Sequence, residues 1–174
     1  SPAKSLTLPI EDTPDVPEDP PETWASILDF GGQKDNLVFN NTPALQAAID
    51  SGATTVYLPR GSYLFNAPVV VRGNLRRLHC MGSRVGATNP NEFGNTLPLL
   101  IVKDGAAPVV VLERIGAFWD TQAPTLPATL VDQASSRKLV IRYGSGQLDT
   151  FAGRGAVYLE DIQASHMEIR SQVW

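Results

Sequence analysis

Apolar residues in this chain fall in short runs separated by turn formers, and one stretch alone carries a helical period. Asn41 or Thr42 is placed to cap a helix, Pro43 suits its first turn, and Ala44 to Ile49 are good helix formers. Leu45, Ala48 and Ile49 fall at i, i+3 and i+4, so the predicted helix, Pro43 to Ser51, has one apolar face. Gly52 follows, where a left-handed residue ends helices. At about three turns, such a helix depends on tertiary packing.

Everything else reads as strand. Ala25 to Phe30 precedes the helix and closes at Gly31-Gly32, with a polar loop over residues 33–41. After the helix come Thr54 to Leu58, Ser62 to Phe65, Pro68 to Val71, Leu75 to Cys80, Leu99 to Val102 and Val109 to Leu112. Thr129 to Val131, Leu139 to Ile141, Val157 to Leu159 and Met167 to Ile169 complete the set. Gly, Asn, Asp and Ser punctuate these runs. Asp104-Gly105 is the one Asn-Gly or Asp-Gly pair in the chain, and the lack of such a hairpin signal between the other runs argues against an antiparallel meander. No helical stretch separates the later strands, which argues against βαβ units. Val70 to Ile101 spans 31 residues, Val110 to Leu130 spans 20 and Val140 to Tyr158 spans 18, all within the range of one solenoid turn. Short apolar strands without hairpins predict a coil of parallel strands, a parallel β-helix.

Three segments add a resemblance. Ala25-Ser26-Ile27-Leu28-Asp29-Phe30-Gly31-Gly32-Gln33-Lys34-Asp35-Asn36, then Thr42 to Asp50, then Val56-Tyr57-Leu58-Pro59-Arg60-Gly61-Ser62-Tyr63-Leu64 occur in order. Together they resemble the opening of the pectate-lyase-superfamily right-handed β-helix proteins, over roughly residues 24–82. The resemblance implies an all-β fold: a right-handed parallel β-helix (solenoid) with a short N-terminal capping α-helix. It also implies a secreted or periplasmic protein that processes polysaccharide, by hydrolysis or elimination, with no cofactor. That family's catalytic residues lie on later coils, and none is carried over to this chain. The polar loop departs from the family pattern: Asn36 stands for a glycine, Asn40 and Asn41 stand for aspartates, and the loop is one residue longer. No bound metal is expected there.

Composition changes this picture at one end. Hydrophobic residues are 43% and charged residues 18%, enough for a packed core. The net charge of -4 is localised: residues 1–22 carry six acids against Lys4, whereas the other 152 residues hold 13 basic and 12 acidic side chains. Six of the 14 prolines also lie in this acidic leader. Repulsion and proline extend it. Leu6, Leu8, Ile10 and Val16 are spaced to pin it along a folded surface, and a disordered linker is the other reading. The body, residues 23–174, lacks the basic, aromatic-interleaved character of a nucleic-acid binder. No run approaches the ~18 apolar residues of a membrane span. Cys80 is the single cysteine, so a disulfide framework is excluded and an inert buried thiol is expected.

Candidate chemistry centres on two strands. In His166-Met167-Glu168-Ile169-Arg170, alternation points His166, Glu168 and Arg170 outward, and Lys138 and Arg142 point outward from the basic strand before it. On one shared sheet these five would form a patch with cations for a sugar carboxylate and a base for proton abstraction, although most such faces are plain solvated surface. Trp119 is the best placed of three tryptophans to stack on a sugar ring, with core or lid packing the commoner role. Glu160-Asp161 reads as a structural turn, and Arg72, Arg76, Arg77 and Arg84 either contact an anionic glycan or pair with nearby acids. Asn40-Asn41-Thr42 has the form of a glycosylation sequon, better explained by helix-start chemistry. The expected partners are a polysaccharide, with uronates among its candidate sugars, and further β-helix coils from the same or a second chain. No amphipathic helix or polar strand follows Met167 to Ile169, so residues 1–174 alone are expected to associate. The alternative to an enzyme is a non-catalytic glycan-binding or structural β-helix.

Overall fold

The computed structural model describes residues 11–120 and 123–171. Helix α1 (Thr42–Asp50) lies between β1 (Ala25–Ser26) and β2 (Thr55–Tyr57). Then follow β3 (Ser62–Phe65), β4 (Val69–Gly73), β5 (Arg77–His79), β6 (Arg84–Ala87), β7 (Leu100–Gly105), β8 (Val109–Glu113) and β9 (Gly116–Ala117). The last are β10 (Val131–Gln133), β11 (Lys138–Arg142), β12 (Ser145–Gln147), β13 (Thr150–Ala152), β14 (Val157–Glu160), β15 (Gln163–His166) and β16 (Ile169–Ser171). They form three sheets, ordered β1-β2-β5-β8-β11-β14 (sheet A), β3-β6-β9-β12-β15 (sheet B) and β4-β7-β10-β13-β16 (sheet C). Every pairing is parallel. From β2 onward the chain visits A, B and C in turn, so the protein is an all-β parallel solenoid with one helix.

Stacked side chains build the core. Val56, Leu78, Leu112 and Ile141 sit in register on sheet A, and Val69, Leu100, Val131 and Thr150 on sheet C, all with 1% exposure or less. In the last coil the same columns end in Leu159 and Ile169, which are 37% and 47% exposed. Val70–Ile101 and Val140–Tyr158 are true stacking steps. Val110 instead stacks on Leu139, and Leu130 precedes a strand of sheet C, so that third spacing compared two different sides of the coil.

Other expectations shift for local reasons. The strand expected over Ala25 to Phe30 is β1 alone, after which Ile27–Phe30 forms a 3-10 turn held by the Leu28 amide on Ser26 Oγ (3.2 Å). Thr129 to Val131 moves on to β10, and of Met167 to Ile169 only Ile169 is strand, opening β16. Strands β6, β9, β12, β13 and β15 have no apolar run to announce them. From the second coil on, the corner from sheet A to sheet B is made by one left-handed residue per coil, Met81, Arg114, Tyr143 and Asp161, with φ between 49° and 55°. None of the first three carries a turn signal.

The N-terminal edges of the first coil are all paired. Strand β1 covers β2. Asp35 and Asn41 amides donate to Ser62 and Leu64 carbonyls, both at 2.8 Å, covering β3. Gln46, on the helix, accepts from the Val70 amide (2.8 Å) and donates to its carbonyl (3.1 Å), replacing a strand partner for β4. The helix starts one residue earlier than expected and buries Ala44, Leu45, Ala48 and Ile49. Its start is held by Asn40, whose Oδ1 accepts from the Thr42 amide at 3.0 Å, while the Asn41 side chain pairs with the Gln33 backbone instead.

Residues 11–24 run along the outer face of sheet A, from the last coils to the first. Leu6, Leu8 and Ile10 lie outside the described residues. Glu11 accepts from Lys138 and from Tyr158, each at 2.6 Å. Val16 is buried against Val111 and Val140, and its carbonyl accepts from Arg77. The Asp19 carboxylate accepts from Thr54 (2.8 Å), Thr55 (2.6 Å) and Arg76. Trp24 stacks on His79 at 5.4 Å. The leader is thus a strap across coils that otherwise touch their neighbours alone.

This strap gives stability an acid limb. Hydrogen bonds from Arg76, with those of Thr55 and Thr54, hold the Asp19 carboxyl down at about 2, against 3.8 unperturbed. Its contribution is complete above pH ~4 and is lost as pH falls toward 2, on the order of 2 kcal/mol. Burial also depresses His79, whose contribution falls away below its ordinary value of 6.5, in a higher window. Thermal melts of wild type and Asp19→Asn should therefore diverge at pH 4.5 and converge near pH 2. Parallel curves would refute the anchor.

Candidate functional site

The five residues expected to share a patch do not share a sheet. Lys138 and Arg142 lie on β11 in sheet A, His166 ends β15 in sheet B, Glu168 is in the following turn and Arg170 lies on β16 in sheet C. The next strand stacked on β11 is β14, because one coil turns through three sheets before returning. Each of the five is also held by a partner within the molecule. Lys138 pairs with Glu11, Arg142 with Glu160 (3.2 Å), His166 Nδ1 with Asp149 (2.8 Å) and Arg170 with Glu168 (2.7 Å). The Arg170 guanidinium holds the Glu168 carboxyl below its usual range, and Glu11 is lowered by Lys138 and Tyr158.

The remaining arginines divide. Arg72 pairs with Asp50 (2.7 Å), Arg76 with Asp19, and Arg77 with Glu113 beneath the strap. Arg84 instead lies over the Phe118 ring, 4.6 Å from its centroid. Asp161 sits at a sheet corner, as a turn residue should. Cys80 is buried, and burial pushes its thiol up to about 12. Trp119 is half-buried against the core rather than offered to solvent, with its amide on Gln147 Oε1 at 3.1 Å. Trp174 lies outside the described residues.

Two aromatics are exposed among the described residues, Tyr143 beneath Arg114 and Trp119's neighbour Phe118, and Phe118 is the one that lines a cleft. Tyr63, Phe65 and Val85 turn into the core from β3 and β6, so Ser62, Leu64, Arg84 and Gly86 face outward. Leu37, 69% exposed in the polar loop, and Phe118, just after β9, rise on either side of them. The result is an open cleft of about 270 Å³ on the outer side of sheet B, with no carboxylate in its lining. Its floor is shaped by glycine. A Cβ at Gly86 would come within 3.1 Å of Leu64 and the Phe118 carbonyl, and one at Gly116 within 3.0 Å of the Phe118 ring. Such a cleft offers the exposed part of an aromatic ring, the guanidinium stacked on it and a hydroxyl, groups suited to a sugar ring with a polar substituent.

Sequence reasoning passed over Phe118 and Leu37 because neither sits in a periodic run. Among the described residues no group of three or more His, Cys, Asp or Glu is placed to hold a metal. The protein is a parallel β-solenoid that carries a small, open, amphipathic cleft on sheet B. No family model, curated protein or solved structure matches this chain.

Proposed function

We propose that this chain is a right-handed parallel β-helix of the pectate-lyase-superfamily type that binds glycan through the cleft around Phe118. The carrying observation is an exposed aromatic and an arginine over a glycine floor, with no carboxylate in the lining. The order of the three sequence segments and the stacked coils support the fold assignment. Secretion or a periplasmic location, and a polysaccharide partner, belong to the same proposal. So do further coils on the half-exposed Leu159 and Ile169.

A second reading, polysaccharide cleavage, is favoured by one contact. Asp149 Oδ1 accepts from the Glu168 amide at 2.8 Å and meets His166 Nδ1 at 2.8 Å, the arrangement that orients an imidazole as a base. Fold alone does not choose between the two.

Calorimetry and product assays across pectin, alginate, glycosaminoglycan and neutral glycan panels separate them. Binding without release of reducing ends or unsaturated uronates is the expected result. Phe118→Ala should then weaken binding roughly threefold to tenfold, the worth of one aromatic stacking contact. Unchanged affinity in that variant would remove the cleft from the proposal. Turnover that disappears in His166→Ala would transfer it to the second reading.

A further inference from the structure

Solenoid exteriors are normally polar, yet two outward residues of sheet A, Val111 and Val140, are completely buried. Their cover is the strap, and the face beneath it reads as a recognition surface. At one end Lys138 and Tyr158 take a carboxylate; in the middle the two valines and the Arg77 guanidinium take Val16 and its carbonyl; at the other end Arg76, Thr54 and Thr55 take a second carboxylate. We propose that this face of sheet A is a docking surface for an acidic, proline-rich segment, and that it accepts residues 11–22 of a second copy of the chain in exchange for its own.

Three observations carry the exchange. The strap is attached at discrete points by side chains and one carbonyl, not by a strand ladder, so the surface recognises the segment without regard to the chain that supplies it. Pro14, Pro17, Pro20 and Pro21 stiffen the segment, so little ordering entropy is lost on docking, and its own attachment turns at Pro21–Thr23. Charge is complementary as well: residues 1–22 carry -5, and the body carries +1. A tethered strap has an effective concentration of order mM, so the swapped form accumulates where copies are crowded.

Disulfide capture in the full chain tests this. Cys80 is buried with its thiol raised, so introduced cysteines react selectively. One chain carries Glu11→Cys and the other Lys138→Cys; these remove an exposed ion pair and the Tyr158 hydrogen bond, and leave the Val16 and Asp19 attachments of the strap in place. Lys103→Cys, exposed on sheet C, serves as the background partner. In a thiol redox buffer at high protein concentration, the Glu11/Lys138 heterodisulfide is expected at several times the Glu11/Lys103 yield. Val16→Ser in the strap donor should bring it down to that background. A double variant, Glu11→Cys with Lys138→Cys on one chain, reports docking of the chain's own strap. Intrachain bonding there, with heterodisulfide no higher than background, would overturn exchange. Equal yields in all mixtures, with no intrachain product, would overturn the docking surface itself.

Discussion

Glu113→Ala should destabilise the protein by about 3–5 kcal/mol, enough to lower the melting temperature by roughly 10 °C. Arg77 is the largest fully buried side chain, and Glu113 is its one carboxylate partner. Without Glu113 the guanidinium keeps the Val16 carbonyl alone, while its Nε already lacks a hydrogen bond. A buried charge so stranded is worse than no charge. Replacing both residues, Arg77→Met with Glu113→Leu, should therefore recover most of the loss. Denaturant unfolding of the two variants checks the pair. A single variant as stable as wild type would mean that strap and sheet do not enclose it.

Leu45→Asp should abolish cooperative unfolding. The side chain is 1% exposed, packed with Ile27 and the first coil, and an unpaired carboxylate there costs several kcal/mol. Gln46→Ala isolates the other half of the helix's role. It leaves the Val70 amide and carbonyl unpaired at the edge of β4, for about 1–3 kcal/mol, without disturbing the apolar face. A Leu45→Asp variant with native melting behaviour would refute the end-cap assignment.

Much of the first coil was legible. The helix and its buried face were readable because period and burial coincide there. In the segment Val56 to Leu64 the structure supplies the reason for the spacing. The buried Tyr63 hydroxyl donates to the Pro59 carbonyl at 2.6 Å, and a Cβ at Gly61 would come within 2.9 Å of Lys34. Sheet B was nearly invisible. Its strands β9 and β12 are built from Gly116, Ala117, Ser145 and Gly146, where small residues answer to neighbouring coils rather than to any local period.

The candidate site failed in sequence for a related reason. His166, Glu168 and Arg170 are exposed, but on β15, a connection and β16 rather than on the single alternating strand expected, and alternation cannot say around which corner a strand lies. That depends on left-handed corners at Met81, Arg114, Tyr143 and Asp161, of which the first three lack the usual turn chemistry. The local, short-range physics of this chain therefore determined its helix and the apolar strands, most of them on sheets A and C. Which outward residues of the coils meet was decided by coil register, and this placed Arg142 beside Glu160 and Phe118 beside Arg84. Whether the leader was linker or strap was decided there too, because Val16 and Asp19 find their partners on strands that the leader's own sequence does not contain.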